Sequence, residues 1–311
     1  MQERIVITGG AGLVGQNLVV ILKQSGYSNI QVIDKHAKNI AILRDLYPDI
    51  ETLQADLAQP GFSHEWLVQA DIVITLHAQI GGLDAEEFYK NNVVATRNVL
   101  ASLAANPDCM VIHVSSSVIN SVANDLYVQS KTEQESLIAE SSHNHCILRP
   151  TLMFGWFDRK HLGWLSRFMQ KTPIFPIPGD GKFLRQPLFV ADFCHIIKSC
   201  VEEPQHGREF NITGKERVFY IDLIRMIKRA TASRSVILKI PFWLFRILLQ
   251  IYAIFDRDPP FTTSQLDALS ADDIFEVIDW ENIFNVTQTP LSEALTITFT
   301  DSTYSNVALE F

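Results

Sequence analysis

The chain has 311 residues, of which 47% are hydrophobic, and its 26 Lys and Arg against 35 Asp and Glu give a formal net charge of −9. This is the composition of an ordinary globular protein with a sizeable core. The acidic balance excludes the basic footprint of a nucleic-acid-binding protein. Four cysteines without CxxC spacing predict reduced core thiols and a cytoplasmic protein. The chain opens on a strand-like run, which leaves no room for a signal peptide.

Apolar β-type runs alternate with helical patterns through the first half of the chain. We predict strands at 4–8, 30–34, 50–54, 71–76, 109–115 and 144–149. We predict helices at 13–25, 38–46, 62–69, 85–105, 126–140 and 160–171. This alternation indicates an α/β fold of the Rossmann type, a doubly wound parallel sheet covered by helices on both faces. Ligands of such sheets bind at the carboxyl ends of the strands.

The pattern becomes irregular after Pro150, and prolines and glycines crowd residues 173–181. We therefore predict a dinucleotide-binding domain followed by a smaller C-terminal substrate-binding region. The first covers 1–151 with a return to the sheet near 186–212, and the second covers 152–185 and 213–311.

The most apolar segment of the chain, 241–255, is too short to span a bilayer and contains Arg246. We predict that it forms a buried or interfacial helix of the C-terminal region. Contact with a membrane surface or with a partner is the alternative. Its aromatic residues could also line a lipid-like substrate site.

A glycine-rich turn joins the first strand to the first helix, with glycines at positions 9, 12 and 15. In dinucleotide-binding turns, one glycine makes the tight turn, one lets the backbone approach a pyrophosphate, and one lets helix pack on strand. The free N–H groups at the start of the helix then bind the pyrophosphate. The sequence therefore predicts a bound dinucleotide.

An acidic residue, Asp34, ends the second predicted strand. A carboxylate there accepts hydrogen bonds from the adenosine ribose hydroxyls and repels a 2′-phosphate. We therefore predict NAD as the cofactor, with NADP less favoured. Lys35 and His36 directly follow, and their positive charge leaves NADP open.

Three serines, Ser115 to Ser117, end the fifth predicted strand, and Tyr127 and Lys131 follow on one face of the next helix. A free tyrosine has a pKa near 10. A neighbouring ammonium and a positively charged cofactor ring would bring that pKa closer to working pH, so that the phenol can act as a base. A serine hydroxyl would orient the substrate hydroxyl. We predict Ser117, Tyr127 and Lys131 as the catalytic set, with Ser117 favoured over Ser116 by register and both serines contacting substrate.

Taken together, these motifs resemble the extended short-chain dehydrogenase/reductases, particularly the nucleotide-sugar epimerase/dehydratase branch, over most of the chain. The resemblance rests on TGGAGLVG at 8–15, Asp34, Asp56-Leu57, 76–78, 91–96, SSS at 115–117, YVQSK at 127–131, 148–151 and Arg185.

The resemblance implies cofactor contacts along the carboxyl edge of the sheet. With the residues named above, the expected set is Gly9, Gly12, Leu13, Val14, Gly15, Asp34, Lys35, Asp56, Leu57, His77, Ala78, Asn92, Tyr127, Lys131 and Pro150. Asp56 and Leu57 would contact the adenine, and Asn92 would steady the active-site strand end. His77 would lie near the cofactor ribose or would be a satisfied strand-end histidine.

The resemblance also implies how the chain binds its substrate and in which oligomeric state it occurs. Arg185 would pair the diphosphate of the substrate, because a guanidinium binds phosphate oxygens bidentately. No metal is expected. Family members imply a homodimer, formed through the helices predicted at 85–105 and 126–140.

Three functions remain open on the sequence. Sugar dehydratases tend to carry an Asp-Glu pair after the active serine or threonine, but here Val118 and Ile119 cannot move protons. We therefore favour an NAD-dependent epimerase of a nucleoside-diphosphate sugar that works through a transient keto intermediate. The alternatives are an NAD(P)-dependent dehydrogenase or ketoreductase of a sugar nucleotide or other hydroxy compound, and a non-catalytic dinucleotide-binding protein.

Overall fold

A computed structural model describes residues 3–82, 84–120, 125–255 (backbone only for 252–255), 266 and 275–310. The strands are β1 Ile5–Thr8, β2 Ile30–Asp34, β3 Glu51–Gln54, β4 Ile72–Thr75, β5 Met110–Val114, β6 His145–Pro150, β7 Met153–Phe154, β8 Ile174–Pro178, β9 Leu184–Arg185, β10 Leu188–Phe189, β11 Arg208–Ile212, β12 Val218–Phe219 and β13 Val236–Ile240.

The α-helices are α1 Leu13–Gln24, α2 Ala37–Leu46, α3 Glu65–Val68, α4 Ala85–Phe88, α5 Ala95–Leu103, α6 Leu126–Ala139, α7 Leu162–Lys171, α8 Val190–Glu202, α9 Tyr220–Ala230, α10 Phe242–Phe255, α11 Trp280–Phe284 and α12 Leu291–Thr300. A π-helical segment, Tyr89–Val94, joins α4 to α5, and a 3₁₀ turn, Ser117–Asn120, follows β5.

The centre of the molecule is a seven-stranded parallel sheet in the order β11-β6-β5-β4-β1-β2-β3. Both faces of the sheet are covered. Ile5 and Ile7 of β1 belong to one buried cluster, with residues of α1 and α8, while Val6 belongs to a second, with residues of α5 and α6. Alternate side chains of a strand point to opposite faces, so unbroken apolar runs suit a strand that is buried on both. The predicted Rossmann-type α/β fold is confirmed.

All six strands predicted in the first half are present within one residue or two of the predicted bounds. The predicted sheet return near 186–212 is only partly present. Arg208–Ile212 joins the sheet beside β6, whereas 190–202 is helix α8, which packs on α1. Phe193, Ile196, Ile197 and Cys200 are buried on it at helical spacing, which is why this segment covers the sheet rather than extending it.

The C-terminal residues form short two-stranded pairs, β8 with β13 and β9 with β12, together with α7 and α9 to α12. All four cysteines are buried free thiols. Among the described residues, no helix is long and apolar enough to cross a membrane.

Asp192 links this C-terminal part to helix α8. Its carboxylate accepts hydrogen bonds from the backbone N–H (3.0 Å) and the hydroxyl (2.7 Å) of Thr289. Burial raises the pKa of Asp192 to about 6, against the smaller lowering effect of the Thr289 hydrogen bonds. The helix cap before α8 is Phe189, so Asp192 serves as a tertiary anchor.

Asp192→Asn should remove a pH dependence of stability. The native state keeps the Asp192 proton up to about pH 6, while the unfolded chain loses it near 3.9. Wild-type stability therefore falls as pH rises through this window, by about 3 kcal/mol. Urea unfolding at pH 3.5 and pH 7 gives the free energy of unfolding of both proteins. The wild-type value minus the Asp192→Asn value should fall by about that amount between the two pH values. A difference that is constant with pH would contradict this account.

Candidate active site

The glycine-rich turn has the geometry of a dinucleotide cradle. Gly9 has φ +70°, and a Cβ there would lie 2.5 Å from the Cα of His77. A Cβ on Gly15 would lie 2.3 Å from the carbonyl oxygen of Gly10, so α1 can pack closely only with glycine there. At Gly12 the space is open, with Gly9 O the nearest atom at 3.4 Å. The three glycines thus occupy the positions of tight turn, close packing and ligand approach.

Helix α1 begins directly behind this open space. Its N-cap is Gly12, which offers no side-chain hydrogen bond, and its first turn, which contains Leu13 and Val14, carries no acidic residue. The first N–H groups of a helix lack intrahelical partners and favour an anion. The open cradle over Gly12 and these N–H groups fit the pyrophosphate of a dinucleotide.

Asp34 ends β2 beside the cradle, and its side chain is buried. Its two carboxylate oxygens accept hydrogen bonds from the N–H groups of Ala11 (3.0 Å) and His36 (2.9 Å). A carboxylate has about four lone-pair sites, so Asp34 can still accept from ribose hydroxyls. The neighbouring Lys35 donates to the Asn91 side-chain oxygen at 2.9 Å. Its ammonium is therefore already hydrogen-bonded within the protein.

Asp34→Ala should weaken NAD binding and relax the preference against NADP. The substitution removes both the acceptor for ribose hydroxyls and the charge that repels a 2′-phosphate, and charged hydrogen bonds contribute about 1.5–3 kcal/mol. We expect the NAD dissociation constant to rise about tenfold or more. Titration calorimetry with NAD and NADP checks this. Asp34→Asn, which keeps the shape without the charge, should show the same relaxed preference, and an unchanged NAD-to-NADP ratio would show that Asp34 does not contact the ribose.

Asp56 and Leu57 follow β3 at the same edge of the sheet. The carboxylate of Asp56 accepts from the N–H of Ala58 at 2.9 Å, and Leu57 is buried in the core. Asp56 therefore caps a turn, and the structure adds no observation of an adenine site. Pro150, which ends β6, is buried opposite Ile212 of β11.

The imidazole of His77 is engaged by the protein. Its Nδ1 lies 2.8 Å from the Thr8 hydroxyl, and its Nε2 lies 3.0 Å from the Thr96 hydroxyl. Burial, with the charge of Lys131, lowers the pKa of His77 to about 3, so the ring is neutral. These contacts favour the alternative that the His77 ring is a satisfied strand-end histidine, and the contact of His77 and the exposed Ala78 with the cofactor stays a prediction.

Asn92, in the π-helical segment, holds two parts of the site together. It is fully buried. Its side-chain oxygen accepts from the N–H of Gln79 at 2.6 Å, and its amide donates to the Ser130 hydroxyl at 2.9 Å. The segment after β4 is thereby tied to helix α6. Asn92 has the contacts of a residue that positions the site, and π-helical turns often occur at functional sites.

Tyr127 lies in the first turn of α6, where Asp125 caps the helix by accepting from the N–H of Val128 at 2.9 Å. The Ser116 side chain lies near enough to the phenol to affect its pKa. Burial raises the pKa of Tyr127 above its ordinary value, the hydrogen bond from Ser116 lowers it by less, and Asp125 raises it further. The ring of Phe88 lies 6.4 Å from the tyrosine ring, centroid to centroid.

Ser116 affects the pKa of Tyr127, whereas strand register favours Ser117, and the choice between the two serines stays a prediction. Ser116 Oγ accepts from the backbone N–H of Val118 at 3.4 Å. Ser117 is buried and begins the 3₁₀ turn. Strand alternation ends where this turn starts, so a register carried forward from β5 does not hold at Ser117.

Lys131 is buried one helical turn beyond Tyr127. Its ammonium donates to the carbonyl oxygen of Val114 (3.0 Å) and to the side-chain oxygen of Gln134 (2.5 Å). Burial lowers the pKa of Lys131 to about 7, against a smaller raising effect of Glu135. We expected Lys131 to lower the pKa of Tyr127, but the lowering contribution there comes from Ser116 instead.

Gln134 is a site residue that sequence reasoning missed. Besides accepting from Lys131, its amide donates to the Thr96 hydroxyl at 2.8 Å, and so it links Lys131 to the buried His77 network. The signal was available, since Gln134 lies three residues after Lys131 and so shares its helix face.

Arg185 comes from a different element, β9. Its guanidinium carbon lies 5.0 Å from the ring centroid of Phe183, and one Nη donates to the carbonyl oxygen of Leu184 at 2.5 Å. The residue is 5% exposed, so Arg185 is not an ordinary surface arginine. Among the described residues, no cluster of His, Cys, Asp and Glu could hold a metal ion.

The chain is similar to several known proteins. It is 26% identical over 303 residues to "NADH dehydrogenase [ubiquinone] 1 alpha subcomplex subunit 9, mitochondrial" of Dictyostelium discoideum, with 93% of this chain and 82% of that protein covered. It is 22% identical over 280 residues to UDP-glucose 4-epimerase of Vibrio cholerae, covering 81% and 83%. The fold matches UDP-glucuronic acid 4-epimerase from Bacillus cereus in complex with NAD, with a TM-score of 0.71, 20% identity and coverage of 95% and 97%.

The family model of the NAD dependent epimerase/dehydratase family matches residues 5–213. This range runs from β1 to the end of the central sheet and contains the glycine cradle, Asp34, Tyr127 and Lys131. The chain therefore belongs to the NAD-dependent epimerase/dehydratase family, a family of extended short-chain dehydrogenase/reductase enzymes.

Proposed function

We propose that this chain is an NAD-dependent epimerase that inverts C4 of a nucleoside-diphosphate sugar through a transient ketone. The observation that carries the proposal is the placement of Tyr127 and the buried Lys131 one turn apart on α6, with Lys131 bonded to Val114 O at the carboxyl end of β5, on the sheet edge that also carries the glycine cradle. A phenol beside a serine hydroxyl, with a lysine one turn away, can move a proton to and from a sugar hydroxyl.

In this mechanism Tyr127 accepts the proton of the sugar hydroxyl and later returns it. NAD, when bound over Gly12, would supply the hydride acceptor. Ser116, beside the phenol, would stabilise the phenolate form of Tyr127, which is the form that accepts the proton, and would orient the sugar hydroxyl. Lys131 would hold the ribose next to the reacting ring. Arg185 would pair the diphosphate while the sugar turns its other face to the cofactor.

The side chains after the serines support an epimerase over a dehydratase. Val118 and Ile119 are half-buried in the 3₁₀ turn, and neither can donate or accept a proton. Elimination of water needs a separate acid and base at the sugar. The described residues of this turn supply neither.

A second candidate is a dinucleotide-binding subunit of a larger assembly that turns over no substrate of its own. The similarity to the Dictyostelium subunit, which extends over 93% of this chain, favours it. The intact set of Ser116, Tyr127 and Lys131 speaks for catalysis, because a scaffold needs no buried phenol–serine pair.

The test is to incubate the protein, without added cofactor, with UDP-sugars that carry deuterium at C4. An epimerase gives a mixture of the two C4 epimers with the deuterium retained, because the hydride returns to the carbon it left. A dehydrogenase or reductase gives no epimer, and in a parallel incubation with the oxidised or reduced cofactor added it consumes that cofactor stoichiometrically. Absence of both reactions across UDP- and dTDP-sugars would leave the assembly subunit as the function.

We also propose a cytoplasmic homodimer. Helices α4, α5 and α6 and the π-helical segment contact one another and form one surface, through which a second copy would pair by two-fold symmetry. Light scattering should give twice the chain mass of 35.2 kDa, and a monomer at micromolar concentration would contradict this.

A further inference from the structure

Large apolar side chains are exposed mainly in one part of the molecule. Of the 13 large hydrophobic residues exposed among the described residues, eight lie on helix α10 and the β8–β13 pair. We call these eight the apolar surface: Ile174, Val236, Leu238, Phe242, Trp243, Ile247, Leu248 and Ile251. Trp243 is 65% exposed and Val236 is 60% exposed. The helix that we predicted as buried or interfacial thus presents much of its apolar side to solvent.

The two elements form one continuous surface. Ile174 and Val236 are direct partners in the β8–β13 register, and Leu238 lies on the same face of the pair two residues on. β13 ends at Ile240, and α10 begins two residues later and contacts β8. The ring of Phe242 comes within 2.5 Å of where a Cβ on Gly179, just after β8, would lie, so the start of the helix is seated on the strands.

Positive charge accompanies this surface, although the whole chain carries −9. Residues 223–255 contain six Lys and Arg and no Asp or Glu. Arg229, Arg234 and Lys239 are exposed, and none of the ion pairs between described residues includes them. Arg234 precedes the exposed Val236 by two residues, whereas Lys239 directly follows Leu238 and so lies on the other face of β13. Cations therefore accompany the strand that carries the apolar surface, with Arg234 at its edge.

We propose that the apolar surface is a peripheral binding site for membranes that contain anionic phospholipids. An exposed tryptophan with leucine and isoleucine neighbours, accompanied by Lys and Arg, is the composition of a helix that lies in the interface of a bilayer. The apolar side chains enter the acyl boundary while the cations meet lipid phosphates. The helix lies on the membrane and does not span it.

Charge distinguishes this occupant from a second copy of the chain. A two-fold dimer through the same surface would bring the cations of both copies to one interface, and like charges across an interface are unfavourable. An anionic lipid surface instead complements them.

The experiment is flotation of the full-length protein with vesicles of phosphatidylcholine alone and of phosphatidylcholine with phosphatidylglycerol. We expect binding to the anionic vesicles, weakened by raised salt because exposed charges are screened. Trp243→Gln/Ile247→Gln and Arg234→Glu/Lys239→Glu should each lower the partition coefficient about tenfold or more. Trp243→Phe should retain binding and lose the blue shift of tryptophan emission that the wild type shows on binding.

The matched controls carry comparable substitutions at exposed positions outside the apolar surface. Ile80→Gln removes an exposed apolar residue and Lys90→Glu reverses an exposed cation, and both should bind as the wild type does. All substitutions are at exposed positions, and unchanged thermal unfolding confirms that they fold. Failure of the wild type to float with anionic vesicles would overturn the proposal, as would equal binding by all variants. Self-association that is abolished by Trp243→Gln/Ile247→Gln, without lipid binding, would assign the surface to a second copy.

Discussion

Tyr127→Phe should abolish nearly all turnover while leaving NAD bound. The substitution removes only the phenol oxygen, the proton acceptor of the proposed mechanism, so we expect kcat to fall by about 10² to 10⁴, the span of general acid–base catalysis. The ring contact with Phe88 is kept, and the dissociation constant of NAD should stay within about twofold because the glycine cradle is untouched. Steady-state kinetics with the deuterated UDP-sugars measure kcat, and titration calorimetry with NAD measures the dissociation constant.

A pair of serine variants serves as the matched control. Ser116 affects the pKa of the Tyr127 phenol, so Ser116→Ala should lower kcat by about 10², as loss of one preorganised donor does. Ser117→Ala should have a much smaller effect. The reverse order would show that the catalytic serine is Ser117. Full activity of Tyr127→Phe would contradict the mechanism as a whole.

Lys131→Met should lower activity and raise stability. The native protein holds the amine in a buried position that lowers its pKa to about 7, so folding at pH 6 places a cation where its charge is disfavoured. Removing the charge relieves that cost but leaves Val114 O and Gln134 Oε1 without their donor. We expect the free energy of unfolding at pH 6 to rise by about 1–4 kcal/mol and kcat to fall at least about 10²-fold.

The stability advantage of Lys131→Met should depend on pH. The folded pKa lies below that of the unfolded lysine, so between about pH 7 and 10.5 the unfolded state binds more protons and wild-type stability rises with pH. The advantage of Lys131→Met should therefore shrink by about 3 kcal/mol from pH 6 to pH 9. Urea unfolding at both pH values measures it. A Lys131→Met protein that is less stable than the wild type at pH 6 would contradict the account.

The sheet and the cradle could be predicted because their signals are local. Most strands of the first half are largely apolar runs bounded by polar residues, and burial on both faces follows from such runs. The edge strand β3, Glu51–Gln54, is the exception, because it is mostly polar and partly exposed. Gly9, Gly12 and Gly15 lie within seven residues, so their roles in the turn are fixed by spacing. The position of Tyr127 above Lys131 on one helix face follows from a separation of four.

Sequence alone is insufficient where a side chain is oriented by distant elements. His77 turns inward because Thr8 and Thr96 bring hydroxyls to both ring nitrogens, and neither is adjacent in sequence. Strand register cannot decide between Ser116 and Ser117 because the chain leaves the strand for a 3₁₀ turn at Ser117. The exposure of α10 likewise depends on what packs against it, which hydrophobicity alone does not determine.

The first measurement is to denature freshly purified protein and to identify and count the dinucleotide that is released. The account predicts close to one NAD per chain, because an epimerase regenerates its cofactor in each cycle and has no need to exchange it. Protein that is empty as purified and binds NAD or NADP only weakly would contradict the epimerase and point to a cofactor-exchanging dehydrogenase or reductase.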